Sequence, residues 1–334
     1  MNIRIVGHEG QANFPFGDDD AWAEFKKVIE GRGHIIEIDA YGAKTQALIS
    51  HNHSKDAIKE SVKSGVSKSK KALVIWEPRI VDENRYRPEN LNKYGWIFAA
   101  SPIWADEVKG KSINWPQNKS EYVPDFGLNW LKNRDRIVMI QGNKFSAHRL
   151  ENYSLRRNIL HQSNLLNLDL DLYGVGWNKG FMHDLLSWIK SLSRTNFKNL
   201  RLSTSVGMGR NYKNYKGSPN DKFIVMRNYK LSIVIENSPD FVSEKLFDSA
   251  FSGCLTFYIG PNLKKFGIDL PPDTIGDQNL NLNLVLIRNL LKLSPDEQRA
   301  LARSQYDELS RVFPLWESRF VLRKLANEIL DVIE

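Results

Sequence analysis

The sequence predicts an α/β protein built on parallel sheets and divided into two domains. Short apolar runs alternate with longer amphipathic segments from the first residues onward, the pattern of strand–helix–strand units. At 334 residues the chain exceeds the length at which a single hydrophobic core usually stops growing. Residues 105–133, including "KGKSINWPQNKSEYVPDFGLN", scatter Lys, Asn, Pro and Gly without a period, as a connection does. The predicted division is therefore 1–132 and 133–334.

In the first part the expected strands are NIRIV (2–6), HIIEI (34–38), QALIS (46–50), ALVIW (72–76) and WIFAA (96–100), with helices near 20–31 and 55–65. In the second they are RIVMI (136–140), LDLDLYG (168–174), KLSIVI (230–235) and LTFYI (255–259), with helices near 152–166 and 181–192. A later helix is well signposted: Ser294 stands at the N-cap, Pro295 at the first helical position and Glu297 three residues after the cap. A last amphipathic helix spans about 315–333. Terminal helices of this kind often pack back on the first domain of two-domain α/β proteins.

With 41% apolar and 26% charged residues, and nine Trp spread along its length, the chain excludes disorder. No run approaches the ~18–20 apolar residues that span a bilayer, and "MNIRIVGHEG" lacks a signal-peptide layout. A cytoplasmic protein is expected, with peripheral attachment to an inner membrane as the alternative. Cys254 is the only cysteine, which excludes an intrachain disulfide and a multi-cysteine metal site; it reads as a small core residue.

The net charge of +8 attracts an anionic partner: nucleic acid, an acidic membrane or a phosphorylated small molecule. The densest basic runs, 59–71 and 209–222, read as solvated loops or helix ends. His51 and His53 read as polar loop residues without acidic or cysteine partners at metal-ligand spacing. Nucleic-acid binding accounts for the total charge but for no particular residue, so no nucleic-acid partner is expected.

The informative stretch is 234–262, "VIENSPDFVSEKLFDSAFSGCLTFYIGPN". Ligands of parallel sheets bind at the carboxyl ends of strands. Glu236 and Asn237 fall at one such end, and Gly260-Pro261-Asn262 at the next. The helix that starts after Ser243 turns its N-terminus to the same edge, where free N–H groups and the positive dipole end favour a phosphate. Lys245 is a poor dipole partner in that first turn, so an anionic ligand explains it better than helix stability does. Glu244 is suited to ribose hydroxyls. A second reading stays open from these residues: Ser243 caps the helix while Glu236 and Lys245 form an internal pair.

Glu236-Asn237-Ser238, then Phe241-Val242-Ser243-Glu244-Lys245-Leu246-Phe247, then Gly253 and Tyr258-Ile259-Gly260 together resemble the signature of the GDP-fucose-dependent α-1,3/1,4-fucosyltransferases, glycosyltransferase family 10. Leu155-Arg156-Arg157-Asn158, "LDLDLYGVG" (168–176) and "ALVIWEP" (72–78) followed by "NKYGWIFAASPIW" are similar to further family segments. The resemblance implies a GT-B fold, two Rossmann-like domains facing across a cleft, with the nucleotide-sugar on the C-terminal one.

It further implies that Lys245 and Arg157 neutralise the pyrophosphate, that Asn237 hydrogen-bonds to it, and that Glu244 holds the ribose. Glu236, Ser243 and Phe241 complete the donor site. Glu77, at the end of ALVIW, resembles the family's base, which takes the acceptor hydroxyl's proton in an inverting transfer. The ordinary alternative is an exposed Glu in a Glu-Pro turn. The donor is then GDP-fucose and the acceptor a glycan. Fixed cations with a helix N-terminus stabilise departing GDP without a required metal or cofactor; "LDLD" (168–171) reads as strand rather than as a metal-binding Asp-x-Asp. Phe241 replaces the family's Tyr and Ser243 its Thr. These departures leave a GT-B transferase with another nucleotide-sugar as the alternative.

Overall fold

The computed structural model describes residues 1–7, 21–38, 45–118, 121–132, 134–166, 168–201 and 212–334. They form two parallel sheets, each in its own compact unit: residues 1–118 with 313–334, and residues 119–312. The first unit thus ends at 118 rather than 132, and the C-terminal helix is one of its own elements.

The first unit contains β1 (Asn2–Val6), α1 (Ala21–Gly31), β2 (Ile35–Ile38), β3 (Ala47–His51), α2 (Lys55–Lys63), β4 (Lys71–Ile75), α3 (Pro88–Leu91), β5 (Trp96–Ala99), α4 (Pro102–Val108) and β6 (Lys111–Ser112). Its sheet runs β2-β1-β3-β4-β5-β6, every pairing parallel. β3 and β4 are buried along their whole length, which is why ALISH and KALVI are near-continuous apolar runs.

The C-terminal helix, Ser318–Ile333, packs on α1 and buries Val321, Leu322, Leu325, Ala326, Ile329, Leu330 and Ile333. That spacing is one continuous helical stripe, and each large apolar side chain so buried contributes about 1.5–3 kcal/mol. Lys70 donates to the carbonyls of Ile333 and Glu334, and Arg32 pairs with Asp331 at 2.7 Å and with Glu334. Part of the 59–71 basic run therefore secures this helix. Lys71 in the same run is buried in β4 rather than solvated, because the strand has no exposed face.

The second unit contains β7 (Arg136–Ile140), α5 (Tyr153–Leu165), β8 (Leu170–Tyr173), α6 (Phe181–Leu192), α7 (Lys222–Met226), β9 (Tyr229–Ile235), α8 (Glu244–Phe251), β10 (Leu255–Ile259), β11 (Ile275–Gly276), α9 (Leu280–Lys292) and α10 (Pro295–Val312). Its order is β11-β10-β9-β7-β8, again all parallel. Leu155, Ile159 and Leu160 of α5 join Ile287 and Leu290 of α9 over Ile137, Leu231 and Phe257 of the sheet.

Local signals explain the element ends. Ser294 and Glu297 form a reciprocal capping box, the Glu297 amide donating to Ser294 Oγ at 3.3 Å and the Ser294 amide to Glu297 Oε2 at 2.8 Å. α8 stops at Gly253, whose φ of +79° favours glycine and whose missing Cβ would meet Pro124 at 2.8 Å. "LDLD" is structural: Asp169 and Asp171 both pair with Arg136, at 2.7 and 2.8 Å, and Tyr229 Oη donates to Asp171. Cys254 is fully buried. Residues 209–211 of the second basic run, and residue 20 of the first expected helix, lie outside the described residues. Among the described residues no helix is long and apolar enough to cross a membrane.

Candidate functional site

β9 delivers Ile235 to the carboxyl edge of the second sheet, and the backbone amide of Glu236 donates to the Ile259 carbonyl at 2.8 Å, extending the ladder by one residue. The Glu236 side chain is fully buried. It accepts from the Ser243 amide at 2.9 Å and from Ser243 Oγ at 2.7 Å, closing residues 236–243 into a loop. Ser243 Oγ also accepts from the Lys245 amide, which makes Ser243 the N-cap of α8, and from Lys245 Nζ at 2.7 Å. Lys245 Nζ lies 3.6 Å from Glu236 and 3.7 Å from Glu244. The cap and the internal pair both form, and Lys245 keeps 19% of its side chain exposed at the helix tip.

Glu244 is half-buried. Burial works to raise its carboxyl, but Lys245, its own backbone amide and Lys222 hold it below the usual carboxylate range. One turn on, burial pushes Asp248 up to about 6 against the pull of Lys222, with which it is ion-paired. Phe241 is buried beneath the loop.

Asn237 is tied to α5 twice. Its carbonyl accepts from the Asn152 amide at 2.9 Å, and its Oδ1 accepts from Arg156 Nη2 at 2.8 Å. Arg156 Nη2 also donates to the Ile235 carbonyl at 2.7 Å, and the guanidinium lies over the Tyr153 ring. The arginine at the Glu-Asn junction is therefore Arg156. Arg157, the one expected there, is 1% exposed and turned to the β7–α5 loop: it donates to the Lys144 carbonyl at 2.7 Å and to Asn143 Oδ1 at 3.3 Å, and lies 4.1 Å above the Phe145 ring. Burial lowers it to about 10. The structure brings Glu236, Asn237, Ser243, Glu244 and Lys245 together; Arg157 belongs to the neighbouring loop.

A cavity of about 210 Å³ opens beside the α8 tip, lined by Gln141, Lys222, Glu244, Lys245 and Asp248 over Ser232–Val234 of β9. Gln141 is 4% exposed, and among the described residues neither its Oε1 nor its Nε2 has a partner. A buried amide left with both a donor and an acceptor unpaired costs free energy unless a ligand satisfies it. Its backbone is held firmly, the carbonyl accepting from Trp177 Nε1 at 2.6 Å and packing where Gly174, at φ +131°, has no Cβ. Gln141, Lys222 and Asp248 carried no sequence signal, because nothing local marks residues that meet only when β7, α7 and α8 assemble.

In the first unit Glu77 follows β4. Its carbonyl accepts from Tyr86 Oη at 2.7 Å, and among the described residues its carboxylate makes no hydrogen bond or ion pair. The strand end beneath it is rigid: the Trp76 amide donates to Asn52 Oδ1 at 3.1 Å and its indole to His51 Nδ1 at 2.7 Å. The histidines expected in a polar loop are instead buried. His51 is the last residue of β3 and stacks on Trp76, and His53 Nδ1 lies 3.1 Å from Tyr94 Oη; burial lowers His51 to about 3 and His53 to about 4. The sequence places both beyond the strand, but β3 runs on through His51, and only His53 follows the turn at Asn52, φ +63°.

Two parallel-sheet α/β units of this topology have the GT-B fold of glycosyltransferases. Similar solved structures include HepE from Anabaena in complex with UDP and glucose (TM-score 0.57, 10% identity, 99% of this chain and 100% of that one) and sucrose-phosphate synthase from Thermosynechococcus elongatus (0.58, 10%, 99% and 98%). An α1,3-fucosyltransferase is also similar (0.51, 12%, 99% and 90%). No protein-family model matches the sequence, and no curated protein sequence matches it.

Proposed function

We propose that this chain is a glycosyltransferase whose second unit holds a nucleotide-sugar at the α8 tip and transfers the sugar, with inversion, to a glycan hydroxyl. The observation that carries the reading is one cavity combining the first turn of α8, Glu244, Lys245 and the Gln141 amide, unpaired among the described residues. Such a set suits a nucleoside diphosphate: cation and helix dipole for the phosphates, carboxylate for the ribose, amide for the base. Lys245 exchanges its contact with Glu236 for a phosphate oxygen. Arg156, fixed by Asn237, supports the field from behind, and Arg157 holds the β7–α5 loop that frames the site. This charge stabilises the leaving diphosphate as the bond to the anomeric carbon breaks, and requires no metal for that task. Glu77 takes the proton of the attacking hydroxyl.

Fucose from GDP-fucose is the donor we favour, on the resemblance of residues 236–260. A second reading, a UDP-sugar donor, is favoured by the structure of HepE with UDP-glucose and by Phe241, which lacks a hydroxyl for the nucleotide. Thermal shift with GDP, UDP, ADP and CMP separates them, since a ligand of the folded state raises Tm. The largest shift with GDP supports the first reading and with UDP the second. No shift with any nucleotide overturns the glycosyltransferase assignment. Release of GDP from GDP-fucose in the presence of β-galactoside or N-acetylglucosaminide acceptors then tests turnover.

A further inference from the structure

A second cavity, of about 260 Å³, lies at the same sheet edge between the N-terminal ends of α5 and α9; it shares no lining residue with the first. Arg149, Asn152, Ser154, Arg201 and Gln278 line it, and among the described residues no carboxylate does. Both helices have thirteen residues, long enough for a developed dipole, and both present their positive ends here.

Three features mark it as built for an oxyanion. Asn152, the N-cap residue of α5, is 1% exposed, yet its side chain makes no capping bond and among the described residues its Nδ2 donor has no partner. Arg149 and Arg201 have no acidic or hydrogen-bonding partner for their guanidinium groups among the described residues. They are also held close to each other. His148 and Leu200 form an antiparallel bridge, with the Arg149 amide donating to the Asn199 carbonyl and the Arg201 amide to the Ala147 carbonyl, each at 2.8 Å. In that register Arg149 and Arg201 are diagonal neighbours on one face, within reach of a common group. Both are exposed, so water screens their mutual repulsion, and an anion entering between them meets two cations at once. The acids next to its lining residues are engaged elsewhere: Glu151 accepts from the Ser154 amide at 2.8 Å, Asp277 Oδ1 from the Asn279 amide at 2.6 Å and Asp240 Oδ1 from Ser238 Oγ at 2.5 Å.

We propose that this cavity is an oxyanion subsite separate from the α8 tip. It takes a phosphoryl group between Arg149 and Arg201, with Asn152 Nδ2 as the buried donor. The group comes either from free phosphate or from a phosphorylated substrate other than the nucleotide. Asn237 and Pro239, on the loop that separates the two cavities, place the subsite next to the proposed donor site without sharing its cations.

The test is titration of the full chain with inorganic phosphate and, separately, with a sugar monophosphate and with GDP, at matched ionic strength. It compares the natural protein, Arg149→Gln/Arg201→Gln, Asn152→Ala and Lys245→Ala. Both arginines are exposed, so the double variant keeps the fold; the buried Asn152→Ala serves as a second probe. The natural chain is expected to bind phosphate. Affinity should fall about tenfold or more in the double variant, as loss of a charge-assisted hydrogen bond requires, while Lys245→Ala leaves it unchanged. Tighter binding of the sugar monophosphate than of phosphate assigns the group to a substrate; equal binding assigns it to free phosphate. Phosphate binding that is absent, that survives the double variant, or that is lost with Lys245 overturns the proposal. So does a double variant that loses GDP together with phosphate. Intact GDP binding without phosphate binding would remove this subsite and leave the donor reading standing.

Discussion

Replacing Lys245 by Ala tests whether the α8 tip is held together by the same charge proposed to grip a ligand. Lys245 Nζ stands 3.6 Å from a fully buried carboxylate, Glu236, and at an effective dielectric of 20 that pair is attracted by about 4–5 kcal/mol before desolvation. Removing the cation leaves Glu236 with neutral donors and the more distant field of buried Arg156. Breaking a buried pair costs about 3–5 kcal/mol; with Lys245 partly exposed we expect the lower end, about 3 kcal/mol. For a unit of this size that lowers Tm by about 6–12 °C. The discriminating measurement is a double-mutant cycle by chemical denaturation with Glu236→Gln. Glu236→Gln/Lys245→Ala should recover most of the loss, because the orphaned charge is gone. If the two single effects add to within about 0.5 kcal/mol, the pair is not coupled and the internal pairing is wrong. Nucleotide affinity should fall in both Lys245→Ala chains, since relieving Glu236 does not restore a cation for the phosphate.

Glu77→Gln should abolish most transfer while leaving nucleotide affinity unchanged; full turnover in steady-state assay would assign the proton acceptor elsewhere. Asp248, raised from 3.8 to about 6, binds a proton more tightly folded than unfolded, so its contribution to stability is present below pH 4 and is lost as pH rises through 6, about 3 kcal/mol at most. Asp248→Asn should flatten that limb of Tm against pH. His51, lowered to about 3, has the opposite sign: it stays neutral folded, and its stabilising contribution fades as pH falls from 6.5 toward 3, so His51→Gln should shift the acid unfolding midpoint downward. Ser294→Ala breaks the capping box and should cost about 1 kcal/mol by urea denaturation.

The sheets were legible because burial on both faces leaves uninterrupted apolar runs: RIVMI and LTFYI were bounded to the residue. β6 and β11, two residues each, carry too little sequence to stand out. α9 escaped for a different reason. "LNLNLVLI" alternates like a strand, yet Asn279 caps a helix there and Asn283 is buried with its amide bonded to the backbone of Asp277. The α8 junction was readable since its residues are close in sequence. Choosing between Arg156 and Arg157 was not, because neighbours on a helix point about 100° apart and only the tertiary position of β9 decides which one meets Asn237.

The polypeptide enters the first sheet, departs for nearly two hundred positions, and comes back to lay its final helix on α1. On the ribosome, the second unit therefore has every segment it needs while the first still exposes the apolar surface that Leu325, Ile329 and Leu330 will cover. The first unit thus closes only after the whole of the second has been threaded between its parts, and its apolar face stays open for longer.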